Sequence, residues 1–266
     1  MKHIDVKKTL QEGNSNILSN LPNFVYTFFA KIVREDEINK ILSKYVDFEG
    51  VDWINKIVEE FELKAKIEGK ENLPENGRCF FVANHAYGMA DGLLITKTIG
   101  EKYGKLKFIG NQVFGLVPNL RSLTIGVNVF DKSPRESLVA LNKAYNSDLS
   151  ITHFPNGKVS RIYKWKIKDD DWHKGFITKA ITGKRNVVPI HFYGRNSRLF
   201  YFIYILRRIF FIKADLELAL LPSELFKKKG EIIKIKIGKP IPYTTFDKSM
   251  SHHAWAQKVR DMVYDL

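Results

Sequence analysis

The sequence predicts an α/β domain: a mostly parallel sheet flanked by helices and preceded by a helical N-terminal region. Three observations carry that expectation. Apolar residues recur at steps of three and four through the first quarter, short apolar runs bounded by turn residues take over from about Leu73, and strand-like and helix-like stretches then alternate to the end. The division this suggests is a helical region over 1–70 and an α/β unit over 71–266, the two forming one structural body.

Taken in order, 24–33 and 51–61 show the helical spacing, with Pro22 and Asn23 starting the first. Pro74, Glu75, Asn76 and Gly77 make a turn, and Cys79-Phe-Phe-Val-Ala83 follows as a short apolar run suited to a buried strand. Further strands are expected at 107–109, 127–130, 150–154, 187–192 and 232–237, and helices at 135–146, 174–182 and 254–264. No internal repeat, low-complexity tract, Gly-rich nucleotide loop or metalloprotease helix is found in the sequence.

With 44% hydrophobic and 27% charged residues in 266, the chain has the composition of a globular protein rather than a disordered one. Cys79 is the single cysteine, which excludes an internal disulfide framework and a Cys-rich zinc site. The start of the chain lacks the apolar core of a signal peptide, so a cytoplasmic location is expected. Charge is uneven: residues 1–150 hold 20 Lys and Arg against 19 Asp and Glu, whereas 151–266 hold 23 against 10. A basic half of this kind attracts polyanions, either nucleic acid or an anionic bilayer surface.

The greasiest stretch, 199–212, contains Phe200, Tyr201 and Phe202 and is broken by Arg207 and Arg208, well short of the roughly 20 apolar residues of a spanning helix. It suits either a segment lying in the headgroup region, with those five residues at the interface, or a buried amphipathic helix.

Chemistry concentrates in Val82-Ala-Asn-His85-Ala-Tyr-Gly-Met-Ala-Asp91, where an Asn-His pair ends an apolar strand and an Asp opens the next helix. A histidine accepts a proton near neutral pH, and a carboxylate on its other nitrogen fixes the tautomer. Asp91 is the candidate carboxylate for His85, with Gly88 letting the turn close; the same residues also suit a plain helix N-cap beside a surface histidine. His191 reads as a packed histidine, and the histidines lack carboxylate or Cys partners at metal spacing, so no metal is expected.

This segment resembles the signature of the glycerophospholipid acyltransferase family, which includes the 1-acylglycerol-3-phosphate acyltransferases. The family's first motif is usually Asn-His, four variable residues, then Asp; here five residues separate His85 from Asp91, as in a bacterial subgroup with a Gly-rich turn. Phe154-Pro155-Asn156-Gly157-Lys158-Val159-Ser160-Arg161 looks like the third motif, commonly Phe-Pro-Glu-Gly-Thr-Arg-Ser, with Asn156 in place of Glu and the arginine one position later. Val187-Val-Pro189-Ile190 resembles the fourth motif, and Gly238-Lys-Pro240-Ile241 the Gly-x-Pro-Ile element after it.

The resemblance implies transfer of a fatty acyl group from acyl-CoA or acyl carrier protein to a hydroxyl of a lysophospholipid such as 1-acylglycerol-3-phosphate, with no cofactor beyond that co-substrate. It implies His85 as general base with Asp91 behind it. Asn84, Gly88, Phe154, Pro155, Asn156, Gly157, Lys158, Arg161 and Arg195 are the expected substrate-binding residues, Lys158 and Arg161 gripping an acceptor anion. The expected partners are an anionic lipid acceptor and the inner face of the cell membrane, held peripherally. An N-acyl amino-acid lipid is the alternative acceptor. A serine esterase lacks its Gly-x-Ser-x-Gly elbow here, and a nucleic-acid module lacks any known motif, so neither is favoured.

Overall fold

The computed structural model describes residues 3–11, 20–111, 114, 117–127, 135–212 and 214–266. Four helices open the chain: α1 (Val6–Gln11), α2 (Asn23–Ile32), α3 (Glu35–Lys44) and α4 (Gly50–Glu60). Helix α4 buries Trp53, Ile54, Ile57 and Val58, one stripe at steps of one, three and one. Helix α2 buries only Tyr26 and leaves Phe24 and Phe28 exposed.

The remaining elements are β1 (Lys64–Glu68), β2 (Cys79–Ala83), α5 (Met89–Tyr103), β3 (Leu106–Asn111), β4 (Thr124–Val127), α6 (Arg135–Asn146), β5 (Ser150–His153), β6 (Arg161–Tyr163), β7 (Lys166–Lys168), α7 (Gly175–Gly183), β8 (Asn186–Phe192), α8 (Arg198–Ile209), α9 (Leu221–Lys227), β9 (Ile232–Ile237) and α10 (His252–Tyr264). Seven strands form one sheet in the order β1-β9-β8-β2-β5-β3-β4. Every pairing in it is parallel except β8 with β9.

Strand β2 shows why this sheet reads as unbroken apolar runs. Phe81 and Ala83 join the core shared with α4 and α5, whereas Phe80 and Val82 join the core under α7 and α10. With both faces covered, alternation has nothing polar to alternate with. Parallel register brings Val82 beside His153 and Ala83 beside Ile190, so the chain leaves β2, β5 and β8 at one edge of the sheet. In open α/β sheets that carboxyl edge is where ligands bind.

Several elements depart from expectation. The stretch 1–70 is not wholly helical, because β1 pairs with β9 from Lys64↔Ile232 to Glu68↔Lys236. The strand expected at 127–130 begins earlier, as β4, and positions 128–130 lie outside the described residues. The short hairpin β6–β7 was not foreseen at all. It pairs Arg161 with Lys168 and Tyr163 with Lys166, leaving Lys164 and Trp165 as a two-residue turn at φ 46° and 67°. Left-handed backbone costs a non-glycine residue about 1–2 kcal/mol.

Candidate active site

At the exit of β2, buried Asn84 donates its amide to the Phe192 carbonyl (2.9 Å) and accepts from the Phe192 N–H (2.7 Å). The side chain thus imitates one more rung of the sheet and clamps the ends of β2 and β8. Asn84, one of the expected substrate-binding residues, thus has both polar atoms engaged in the fold.

His85 follows, held on four sides. Its Nδ1 lies 3.1 Å from Oδ2 of Asp91, its backbone N–H donates to Oδ1 of Asp169 (3.2 Å), and its carbonyl accepts from the Ser160 N–H (2.7 Å). The ring stacks on Phe154, centroids 4.0 Å apart and 22° from parallel. Asp91 is fully buried in the first turn of α5, and its Oδ2 also accepts from the N–H groups of Tyr87 (2.7 Å) and Gly88 (3.0 Å). The longer His-to-Asp spacing is absorbed by folding residues 86–88 around the carboxylate. Gly88 makes that possible at φ +86°, where a Cβ would also come 2.9 Å from Leu221. The neutral tautomer that donates Nδ1–H to Asp91 has its lone pair on Nε2.

The loop after β5 lies across His85. Gly157, at φ +70°, returns its N–H to the Phe154 carbonyl (2.9 Å), and Asn156 bridges to the Lys158 carbonyl (2.8 Å). The turn is therefore closed on itself, with the Gly157 N–H engaged inside it. Pro155 accepts from the His173 N–H (3.0 Å).

Arg161 is nearly buried. Its Nε donates to Glu217 (2.9 Å), its guanidinium lies over Phe200 and Tyr204 at 5.1 and 5.5 Å, and its Nη2 makes no hydrogen bond among the described residues. Glu217, itself fully buried, accepts from Arg207 as well (2.7 Å), and Asp215 pairs with Arg207 and with Lys158. Lys158, Arg161, Tyr204, Arg207 and Asp215 border a cavity of about 240 Å³ that also reaches Tyr163, Asp170 and Arg208, with Glu217 behind it. Four cations and two carboxylates line it, a mildly positive pocket rather than an unopposed cluster.

Helix α8 buries one face of the aromatic stretch and exposes the other. Ser197 caps it, accepting from the Phe200 N–H. Phe200 and Tyr201 are buried and Arg207 turns inward to Glu217, so these three leave the expected interface set. Phe202 stays exposed, and Arg208 reaches the Tyr204 hydroxyl. Arg195 is exposed in the loop before α8, whose neighbour Gly194 packs on the Tyr87 ring. His191 is a packed histidine, stacked on Tyr193.

Asp169, Ser160, Trp172 and Tyr264 were missed in the sequence. Fully buried Asp169 accepts from the Ser160 hydroxyl (2.6 Å) and the Trp172 indole (2.9 Å) as well as from His85, while its own N–H donates to Tyr264 (2.7 Å). Burial raises its carboxyl above the usual range, against the pull of these donors. Among the described residues, no cluster of His, Cys, Asp and Glu could hold a metal ion.

The carboxyl edge of the sheet thus carries a His–Asp pair, with a cationic pocket next along the Asn156–Arg161 loop. The chain belongs to an acyltransferase family whose model matches residues 8–266. It is 36% identical, over 99% of its own length, to two lyso-glycine lipid O-acyltransferases. One is from Phocaeicola vulgatus, with 95% of that protein covered, and one from Bacteroides thetaiotaomicron, with 97% covered. Among solved structures it is similar to the 1-acyl-sn-glycerophosphate acyltransferase PlsC from Thermotoga maritima, at 17% identity and TM-score 0.46 over 91% of this chain and 92% of the other.

Proposed function

We propose that this acyltransferase moves a fatty acyl group from a thioester, acyl-CoA or acyl carrier protein, to the hydroxyl of a single-chain anionic lipid, with His85 as general base. The observation that carries the reading is the contact of His85 Nδ1 with Asp91, which leaves Nε2 to take the hydroxyl proton. The freed oxygen attacks the thioester carbonyl. The tetrahedral intermediate then expels the thiolate, which recovers the proton from the imidazolium, so ester and thiol leave together. A covalent acyl-enzyme is not required. Cys79 is buried and burial pushes its thiol up to about 11, while the Ser160 hydroxyl is buried and donates to Asp169.

The acceptor that fits best is a hydroxylated N-acylglycine. The relatives' names support it, and so does the pocket beside Arg161 and Lys158: Asp215, Asp170 and the Glu217 that pairs with Arg161 and Arg207 oppose its four cations, and the one positive charge left over suits a single carboxylate. A 1-acylglycerol-3-phosphate is the second reading, favoured by the Phe-Pro-x-Gly element at Phe154–Gly157.

Both acceptors live in membranes. No helix among the described residues is long and apolar enough to cross one. Exposed Phe202, Ile209, Phe210 and Phe211 next to Arg208 support peripheral attachment, at the inner face of the cell membrane.

The test is transfer of labelled acyl groups from each thioester to each acceptor, comparing wild type with His85→Ala. Wild type should form product and His85→Ala should lose roughly 10²-fold or more in rate. Equal rates would remove His85 as the base, and product on the phosphate acceptor alone would reverse the order of acceptors.

A further inference from the structure

We propose that the β6–β7 hairpin is a membrane finger, seating Trp165 at the headgroup level of an anionic bilayer with Lys164, Lys166 and Lys168 among the lipid phosphates. The inference deepens the peripheral attachment proposed above and rests on it.

The tip is the first observation. A two-residue turn with both φ angles positive is the geometry that Asn-Gly fills without strain, yet Lys164 and Trp165 occupy it. A bulky residue there works against the local backbone, so its side chain answers to something beyond the turn.

Exposure is the second. Trp165 is 94% exposed, whereas Trp53, Trp172 and Trp255, the other tryptophans of the chain, are buried. An indole flanked by exposed lysines is the combination that membrane interfaces take up: the ring sits between apolar and wet layers and the ammonium groups meet anionic headgroups. The acid at the hairpin's base, Asp170, accepts from the Tyr163 hydroxyl (3.0 Å).

Position is the third. Ile162 and Ile167 pack the hairpin onto Phe200 and Tyr201 of α8, the helix that carries exposed Phe202 and Ile209 and runs on into exposed Phe210 and Phe211. The strands begin at Arg161, on the anion pocket, and end at Lys168, next to the Asp169 that holds His85. A finger seated among headgroups would therefore place the site at the depth where a lysolipid displays its own headgroup and hydroxyl.

Because Trp165 is the exposed tryptophan, intrinsic fluorescence reports on it directly. The full chain is titrated with vesicles of phosphatidylcholine alone and of phosphatidylcholine with phosphatidylglycerol, with co-sedimentation measured in parallel. The expected result is a blue shift with the anionic vesicles that Trp165→Phe lacks, and at least tenfold weaker co-sedimentation for Trp165→Ser. Both variants should transfer acyl groups to a monomeric, detergent-dispersed acceptor at the wild-type rate. Wild type that sediments with vesicles but shows no shift, or Trp165→Phe that keeps the shift, overturns the finger and leaves peripheral attachment standing. Wild type that binds neither vesicle overturns both, and binding to a protein partner instead would then be the use of the exposed tip.

Discussion

At the residue scale the decisive group is one that a reader of the sequence passes over. The pairing of His85 with Asp91 is legible, because an Asn-His at a strand end and an Asp in the first turn of the next helix bring the two side chains within 3.1 Å of each other. Asp169 opens an Asp-Asp-Asp run that looks like a solvated turn. Instead it is fully buried and joins the His85 backbone to the Ser160 hydroxyl and the Trp172 indole. Asp169→Asn retains one acceptor oxygen but sets an amide NH₂ against the indole N–H or against the His85 N–H, two donors face to face. A displacement of His85 by a fraction of an ångström should lower kcat by about tenfold to hundredfold with KM nearly unchanged. Steady-state kinetics on either acceptor checks this; an unchanged kcat would mean that Asp91, Phe154 and the Ser160 N–H fix the histidine without Asp169.

At the element scale, what is buried on both sides announces itself and what lies at an edge does not. The runs 79–83 and 187–192 are read correctly because strands covered on both faces carry little besides apolar residues. Lys64-Ala-Lys-Ile-Glu68 shows one large apolar residue in five, as an edge strand needs to, and was absorbed into the helical region. The β6–β7 turn lacks the Gly or Asn that would flag it. The loop between β8 and α8 is a similar case: in the sequence it supplies Arg195 as a candidate, but its backbone is what matters. Gly194 has φ +135°, and a Cβ on it would fall 1.6 Å from the Tyr87 hydroxyl oxygen, which donates to the Tyr193 carbonyl (2.8 Å). Gly194→Ala must therefore push Tyr87 off the turn that wraps Asp91. Stability should fall by about 2–4 kcal/mol, from backbone strain together with the lost hydrogen bond, and acyl transfer should fall with it. Tyr87→Phe loses only the hydrogen bond, about 1 kcal/mol, so comparing urea midpoints of the two variants separates collision from hydrogen bonding.

At the scale of the whole molecule, two half-buried imidazoles at the sheet edge set how the fold meets acid. Burial pushes His153, at the end of β5, down to about 3, with His173 adding to the effect, and pushes His191, in β8, down to about 4 with help from Lys234 and Lys236. Each has an Nδ1 that is buried without a partner among the described residues. In the unfolded chain both titrate near 6.5, so below that value the unfolded state binds protons that the folded state refuses. Stability should then fall as pH drops from about 6.5 towards 4, by on the order of 2 kcal/mol for each histidine at pH 5. The basic second half steepens the loss, since protonating its few carboxylates leaves 23 Lys and Arg increasingly unopposed. Urea unfolding at pH 7 and pH 5 measures the effect, and His191→Phe, which keeps a ring stacked on Tyr193, should flatten part of it. Equal unfolding free energies at the two pH values would mean that both rings take up their protons in the folded state, through the faces they leave to solvent rather than at their buried Nδ1 atoms.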